Sequence, residues 1–212
     1  MTTVRSGQGL LEGIVAIGAL LTGLVAVVAL TASNVASSEG TESRIIATSL
    51  AREGIEAVRA VRDANWLAGR AGESGQANAW DTGFVSGSDT TAIAILNSST
   101  LQWAINFTPS SMADTATALR RNRDRGLYRQ SLESPAPANE DPTPYRRLLT
   151  IFPICRNFPG NQERNTQATC SVGFQKVGVR VISQVQWFDG SKDRSVSAEG
   201  WLYNWRFSPY VP

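Results

Sequence analysis

From Leu10 to Ala32 the chain reads LLEGIVAIGALLTGLVAVVALTA, an almost wholly apolar run. As a helix rising about 1.5 Å per residue, this run reaches about 34 Å, enough to cross a hydrocarbon core of about 30 Å. Lipid leaves such a segment little choice, because a single span must satisfy its own backbone hydrogen bonds and only a helix does so. The polar leader ahead of it, Met1 to Gly7, carries Arg5 and the initial amine, while the first charge beyond the run is Glu39. The positive-inside rule then keeps the leader in the cytoplasm and sends the remainder out. A secretory signal peptide is the competing reading, with Thr31-Ala32-Ser33 as a weak cleavage site. Its apolar core is normally only about 7–15 residues long. A plain uncleaved anchor is the third.

Glu12 does not fit a simple anchor, since it stands inside the apolar run near its start. A carboxylate well within a bilayer costs on the order of 3 kcal/mol, and intramembrane acids generally have a partner or a task. The plainer account is that Glu12 sits at the interface, favoured by the helix N-terminal dipole.

The string Gly7-Gln8-Gly9-Leu10-Leu11-Glu12, followed by the apolar helix, resembles the class III signal of type IV pilins and pseudopilins. In that family a prepilin peptidase cuts after the glycine of a short basic leader, the new N-terminal residue is often methylated, and a glutamate stands fifth in the mature chain. The resemblance implies a cut between Gly7 and Gln8, methylation at Gln8, and Glu12 as the acid that meets the new amine of an adjacent subunit. Gln8 stands where Phe or Met is commonest and Gly9 where Thr is usual, and the leader holds a single basic side chain.

The rest of the composition narrows the chemistry. The chain has no histidine, which removes His-based catalytic pairs and the common imidazole zinc sites. Its formal net charge of +2 gives no global bias toward nucleic acid or anionic lipid. No phosphate-binding glycine loop is present. Asp189 and Asp193 could hold calcium in principle, but two carboxylates on a turn are usually turn-formers. No cofactor, metal or catalytic residue is therefore expected. Cys155 and Cys170 are the only cysteines, spaced too widely for a C-x-x-C motif. A disulfide between them, implying an oxidising compartment, is the sharper reading; two buried thiols are the other.

Beyond the span, Ser43–Leu67 repeats Ile46, Leu50, Gly54, Ala57 or Val58, and Val61 at helical spacing. Arg44, Arg52, Glu53, Glu56, Arg59 and Arg62 fill much of the rest, which predicts an amphipathic helix with a solvated charged side. No proline precedes Pro109, so one helix is expected from Gln8 to Leu67, with Ser37–Gly40 a weak point. Ala68–Asn78, Ser134–Pro144 and the segment between the cysteines read as loops. Predicted strands are Thr91–Leu96, Leu101–Phe107, Leu127–Leu132, Tyr145–Ile154 and Lys176–Phe188, the last with Val177, Val179, Val181, Val185 and Trp187 on one face. Asp189–Asp193 reads as a turn and Arg194–Phe207 as the returning strand. The tryptophans, including Trp187, Trp201 and Trp205, are expected to pack the head.

The expected fold is α+β. Residues 1–7 form a leader, 8–67 a long helix with a membrane half (about 10–32) and an amphipathic half, and 68–212 an extracytoplasmic head built on a mostly antiparallel sheet. The resemblance implies a non-enzymatic subunit, a minor one, of a type IV pilus (fimbrium) or pseudopilus. It is a single-pass protein of the cytoplasmic membrane before assembly and part of a cell-surface filament afterwards. Its implied partners are other pilin subunits through the N-terminal helix, the prepilin peptidase and the membrane platform of the assembly machine, with no nucleic acid. A bitopic membrane protein displaying a β-rich binding domain, with no filament role, is the alternative.

Overall fold

The computed structural model describes residues 8–70, 72, 79–87, 89–97, 99–133, 135, 137–157 and 162–205. The leader, most of the 68–78 loop and the end of the final predicted strand lie outside them. The chain divides after Arg44 into two compact units. Helix α1 runs from Gln8, the first described residue, to Leu67, with no break at Ser37–Gly40. Its part within the first unit contains a candidate span, Gly9–Asn34, none of which is buried.

The second unit is the α+β head. Its eight strands are β1 (Thr91–Leu96), β2 (Trp103–Asn106), β3 (Ala118–Asn122), β4 (Tyr128–Arg129), β5 (Glu140–Asn157), β6 (Glu163–Arg164), β7 (Phe174–Phe188) and β8 (Asp193–Tyr203). All named pairings are antiparallel, and β5 is the hub. One flank of β5 carries β7 and then β8; the other carries β3, β1 and β6 in succession along its length.

Strand β5 begins at Glu140, inside the segment expected to be a loop, and so contains Pro142 and Pro144. Pairing with β7 starts only at Tyr145, so these prolines lie where β5 has a neighbour on one side alone. A proline without its N–H is tolerated at such an edge. Pro153 follows the same rule: β1 pairs only as far as Thr150, and β6 joins at Cys155. The two-residue β6 also falls in a predicted loop, and β3 lies where no strand was expected.

The helix segment from Ile45 to Leu67 covers one face of this sheet. Ala47, Leu50, Ala51, Ile55, Ala57, Val58 and Trp66 are buried, while Ile46 and Val61 pack from the margin. The opposing layer is the predicted valine face of β7 together with Tyr145, Leu149, Ile151 and Leu202. Small residues set the approach. A Cβ on Gly54 would lie 2.4 Å from Ser183 Oγ, and one on Gly200 would lie 2.6 Å from Ile55 Cγ2. Neither contact leaves room for a methyl group.

Arg62 departs from the expected solvated face. It is buried against Trp66, 4.4 Å above the ring, and its Nη1 donates to Tyr203 O at 3.3 Å. Its aliphatic stem and stacked guanidinium are covered while its donors remain satisfied. Trp66, Trp80 and Trp187 are core residues, but Trp201 and Trp205 are 44% and 68% exposed. Only part of the tryptophan set packs the head.

Cys155 and Cys170 form a disulfide that ties the start of the β6 loop to its end. Cys155 is buried beside Ile154, so replacing Cys170 with serine removes the crosslink with little direct loss of core. By the loop-closure estimate the head should lose about 3 kcal/mol. Denaturant unfolding of the oxidised protein and the Cys170→Ser variant measures this, and equal midpoints would refute it.

Candidate membrane and assembly segment

The first-unit helix presents Leu10, Leu11, Ile14, Val15, Ile17, Leu20, Leu21, Leu24, Val25 and further large apolar side chains, each more than half exposed. Over Gly9–Asn34 the mean hydropathy is 2.6. That segment is long and apolar enough to span a membrane. Its two threonine hydroxyls are satisfied within the helix: Thr22 Oγ1 donates to Gly18 O at 3.0 Å and Thr31 Oγ1 to Val27 O at 2.9 Å. Such back-bonding lets a polar side chain sit in lipid without an unmet donor.

Glu12 is the exception. It lies one turn after Gln8, the first residue of α1, and its exposed carboxylate has no partner among the described residues. Gly7, the other half of the predicted cleavage site, lies outside the described residues. The structure therefore places Gln8 and Glu12 at i and i+4 of one helix and says nothing of the leader.

The head offers no rival centre of comparable clarity. No group of three His, Cys, Asp or Glu side chains that could hold a metal occurs among the described residues. The Asp189 carboxylate, considered above for calcium, is committed to its turn. Oδ1 accepts from the Ser191 and Lys192 amides at 3.0 Å and from Ser191 Oγ at 2.8 Å, and Oδ2 accepts from Arg194 Nε at 2.5 Å. The Arg194 bond first, then those amides, hold this carboxyl well below the usual carboxylate range. A cleft of about 760 Å³ lies beside the disulfide, between the 79–89 turn and β7. Its floor holds the Asp81–Lys176 ion pair at 2.9 Å, already mutually satisfied.

Sequence reasoning overlooked Arg147. This fully buried guanidinium donates to Leu50 O at 3.1 Å, to Glu53 Oε1 at 3.3 Å and to Gln130 Oε1 at 3.2 Å, linking α1, β5 and the segment after β4. Burial pulls its pKa down and the Glu53 carboxylate pulls it back up. Arg146-Arg147 at a strand start gives no periodic signal that one of the two points into the core.

Comparison with family models, with curated proteins and with solved structures finds no match to this chain.

Proposed function

We propose that this chain is a structural subunit of a type IV pilus or related pseudopilus, cut after Gly7, held in the cytoplasmic membrane with its head outside, and assembled through its N-terminal helix. The observation that carries this reading is a wholly exposed apolar helix with one unpartnered carboxylate a turn from its start. A lipid anchor needs the apolar surface but gains nothing from Glu12. An assembly of parallel helices does gain from it: cleavage creates an ammonium at Gln8, and a glutamate from the adjacent subunit supplies its counter-ion and fixes axial register. Buried ion pairs contribute little to stability, but their best-attested use is to set register. The head supports the same reading, because the second half of the same helix is buried against an antiparallel sheet and so joins the head covalently to the assembling segment.

The test is the N-terminus of the protein from its native host. Mass spectrometry should find Gln8 first, with or without an added methyl. An intact leader in membranes would favour the bitopic anchor, and a start near Asn34 would favour a secretory signal.

A further inference from the structure

Two asparagines in the chain stand two residues before a hydroxyl side chain, in Asn97-Ser98-Ser99 and Asn106-Phe107-Thr108. Asn-x-Ser/Thr is the acceptor pattern for N-linked sugars where the asparagine lies on the surface of an exported protein. The buried asparagines Asn65, Asn122 and Asn204 lack the hydroxyl two residues on. Asn97 lies in the turn between β1 and β2, and Asn106 is the last residue of β2.

The surroundings of the two differ. Asn97 is exposed and belongs to no strand. Its backbone closes the turn: its carbonyl accepts from Leu101 N at 2.8 Å, and its N–H donates to Gln102 O at 2.9 Å. Its Oδ1 accepts from the amides of Ser99 at 2.9 Å and Thr100 at 3.0 Å. This Asx turn holds the acceptor pattern bent and leaves Nδ2 without a partner among the described residues. Asn106 makes one such bond, from Thr108 N at 2.9 Å, but it is half-buried and sits opposite Ile93 in the β1–β2 ladder. The buried ring of Pro109 then fixes the chain that follows. A transferase must draw the acceptor segment into its own site, and an exposed turn tip yields to that where a ladder residue does not.

The hairpin also lacks the charge that marks the other outer strands. No Asp, Glu, Lys or Arg stands between Asp89 and Asp114. Strand β2 ends the sheet on its side, no described strand pairs with its outer edge, and it carries neither charge nor proline. By contrast β8 carries Asp193, Arg194 and Glu199, β4 carries Arg129, and β6 is Glu163-Arg164. Leu101, in the same turn as Asn97, is 58% exposed. Open edges are ordinarily charged or covered. A sugar chain at the turn supplies cover where charge is missing.

We infer that Asn97 is a glycosylation site whose donor substrate is an oligosaccharide carried on a lipid-linked diphosphate. The Asn97 Nδ2 bonds to C1 of the first sugar and the C1–O bond to the diphosphate breaks. The diphosphate leaves with the electron pair, and the Nδ2 proton passes to a base of the transferase. The site needs the head outside the cytoplasmic membrane, so it rests on the orientation proposed above.

Mass spectrometry of the full chain from its native host, with fragmentation that separates Asn97 from Asn106, tests the site. Asn97 should carry the added mass of an oligosaccharide in most chains, and Asn106 none. Asn97→Gln and Ser99→Ala should each abolish the addition, while Ser99→Thr, which keeps the hydroxyl, should retain it. A bare Asn97 would overturn the proposal, and in chains that begin at Gln8 it would leave the filament reading standing. Sugar on Asn106 in place of Asn97, or an addition that survives Ser99→Ala, would overturn it too. Sugar on Asn97 of chains that keep their leader would sustain the site and tell against the filament reading.

Discussion

Replacing Glu12 with alanine is expected to leave membrane insertion and head folding intact while depleting the protein from filaments. Insertion should even improve, because removing an isolated carboxylate from an apolar run relieves up to about 3 kcal/mol. The head should not respond, since Glu12 lies outside the Ile45–Pro212 unit and has no hydrogen bond or ion pair among the described residues. Assembly is different. The Gln8 ammonium of a neighbouring subunit would be enclosed among apolar helices without its counter-ion, a loss of roughly 3–5 kcal/mol in comparable buried pairs. At about 1.4 kcal/mol per tenfold, that lowers incorporation by two orders of magnitude or more. If Glu12 merely rests at the membrane interface, the pattern reverses, with a small change in insertion and none in assembly. The measurement is the fraction of variant protein in sheared filaments against that left in the membrane. Wild-type incorporation of Glu12→Ala would defeat the pairing, although the N-terminal processing result would still stand.

Glu12 was legible in the sequence because it breaks a strong pattern, and the same is true of the features read most accurately. The unbroken course of α1 as far as Leu67 followed from an apolar run, a helical repeat and the lack of proline up to Pro109. The β7–β8 hairpin followed from the alternation within Lys176–Phe188 and the turn signal at Asp189–Asp193. The misses fall where local chemistry contradicts tertiary context. Pro142 and Pro144 read as loop, yet a strand accepts them where only one neighbour is present. Strand β3, ALRRN, buries Leu119 and Asn122 but is masked by adjacent arginines, and β6 is too short to have a period. Arg62 reads as part of a solvated helix side, and Arg147 was overlooked. Burial of a charged side chain is decided by partners distant in sequence, and periodicity carries no trace of them.

Those distant partners make Glu53→Ala a substitution expected to weaken the head. Arg147 has no exposed surface, and Glu53 is the only carboxylate among its described partners. Its Nη2 has no hydrogen-bond partner among the described residues, so its donors are already incompletely satisfied. Removing Glu53 would leave an enclosed charge facing one backbone carbonyl and one amide oxygen. Breaking a fully buried pair costs about 3–5 kcal/mol. The Glu53 side chain is 35% exposed and partly screened, so the expected loss is smaller, about 1–3 kcal/mol. For a domain of this size, that lowers Tm by roughly 2–12 °C. Arg147→Met should behave differently. It keeps most of the volume and removes the charge, and buried ion pairs replaced by apolar groups are often neutral or more stable. Glu53 can then turn to water. The double variant should therefore unfold close to Arg147→Met and well above Glu53→Ala, a non-additivity that a double-mutant cycle measures directly. Equal losses from Glu53→Ala in the wild-type and Arg147→Met backgrounds would show that the carboxylate acts elsewhere and that Arg147 is held by Leu50 and Gln130 alone.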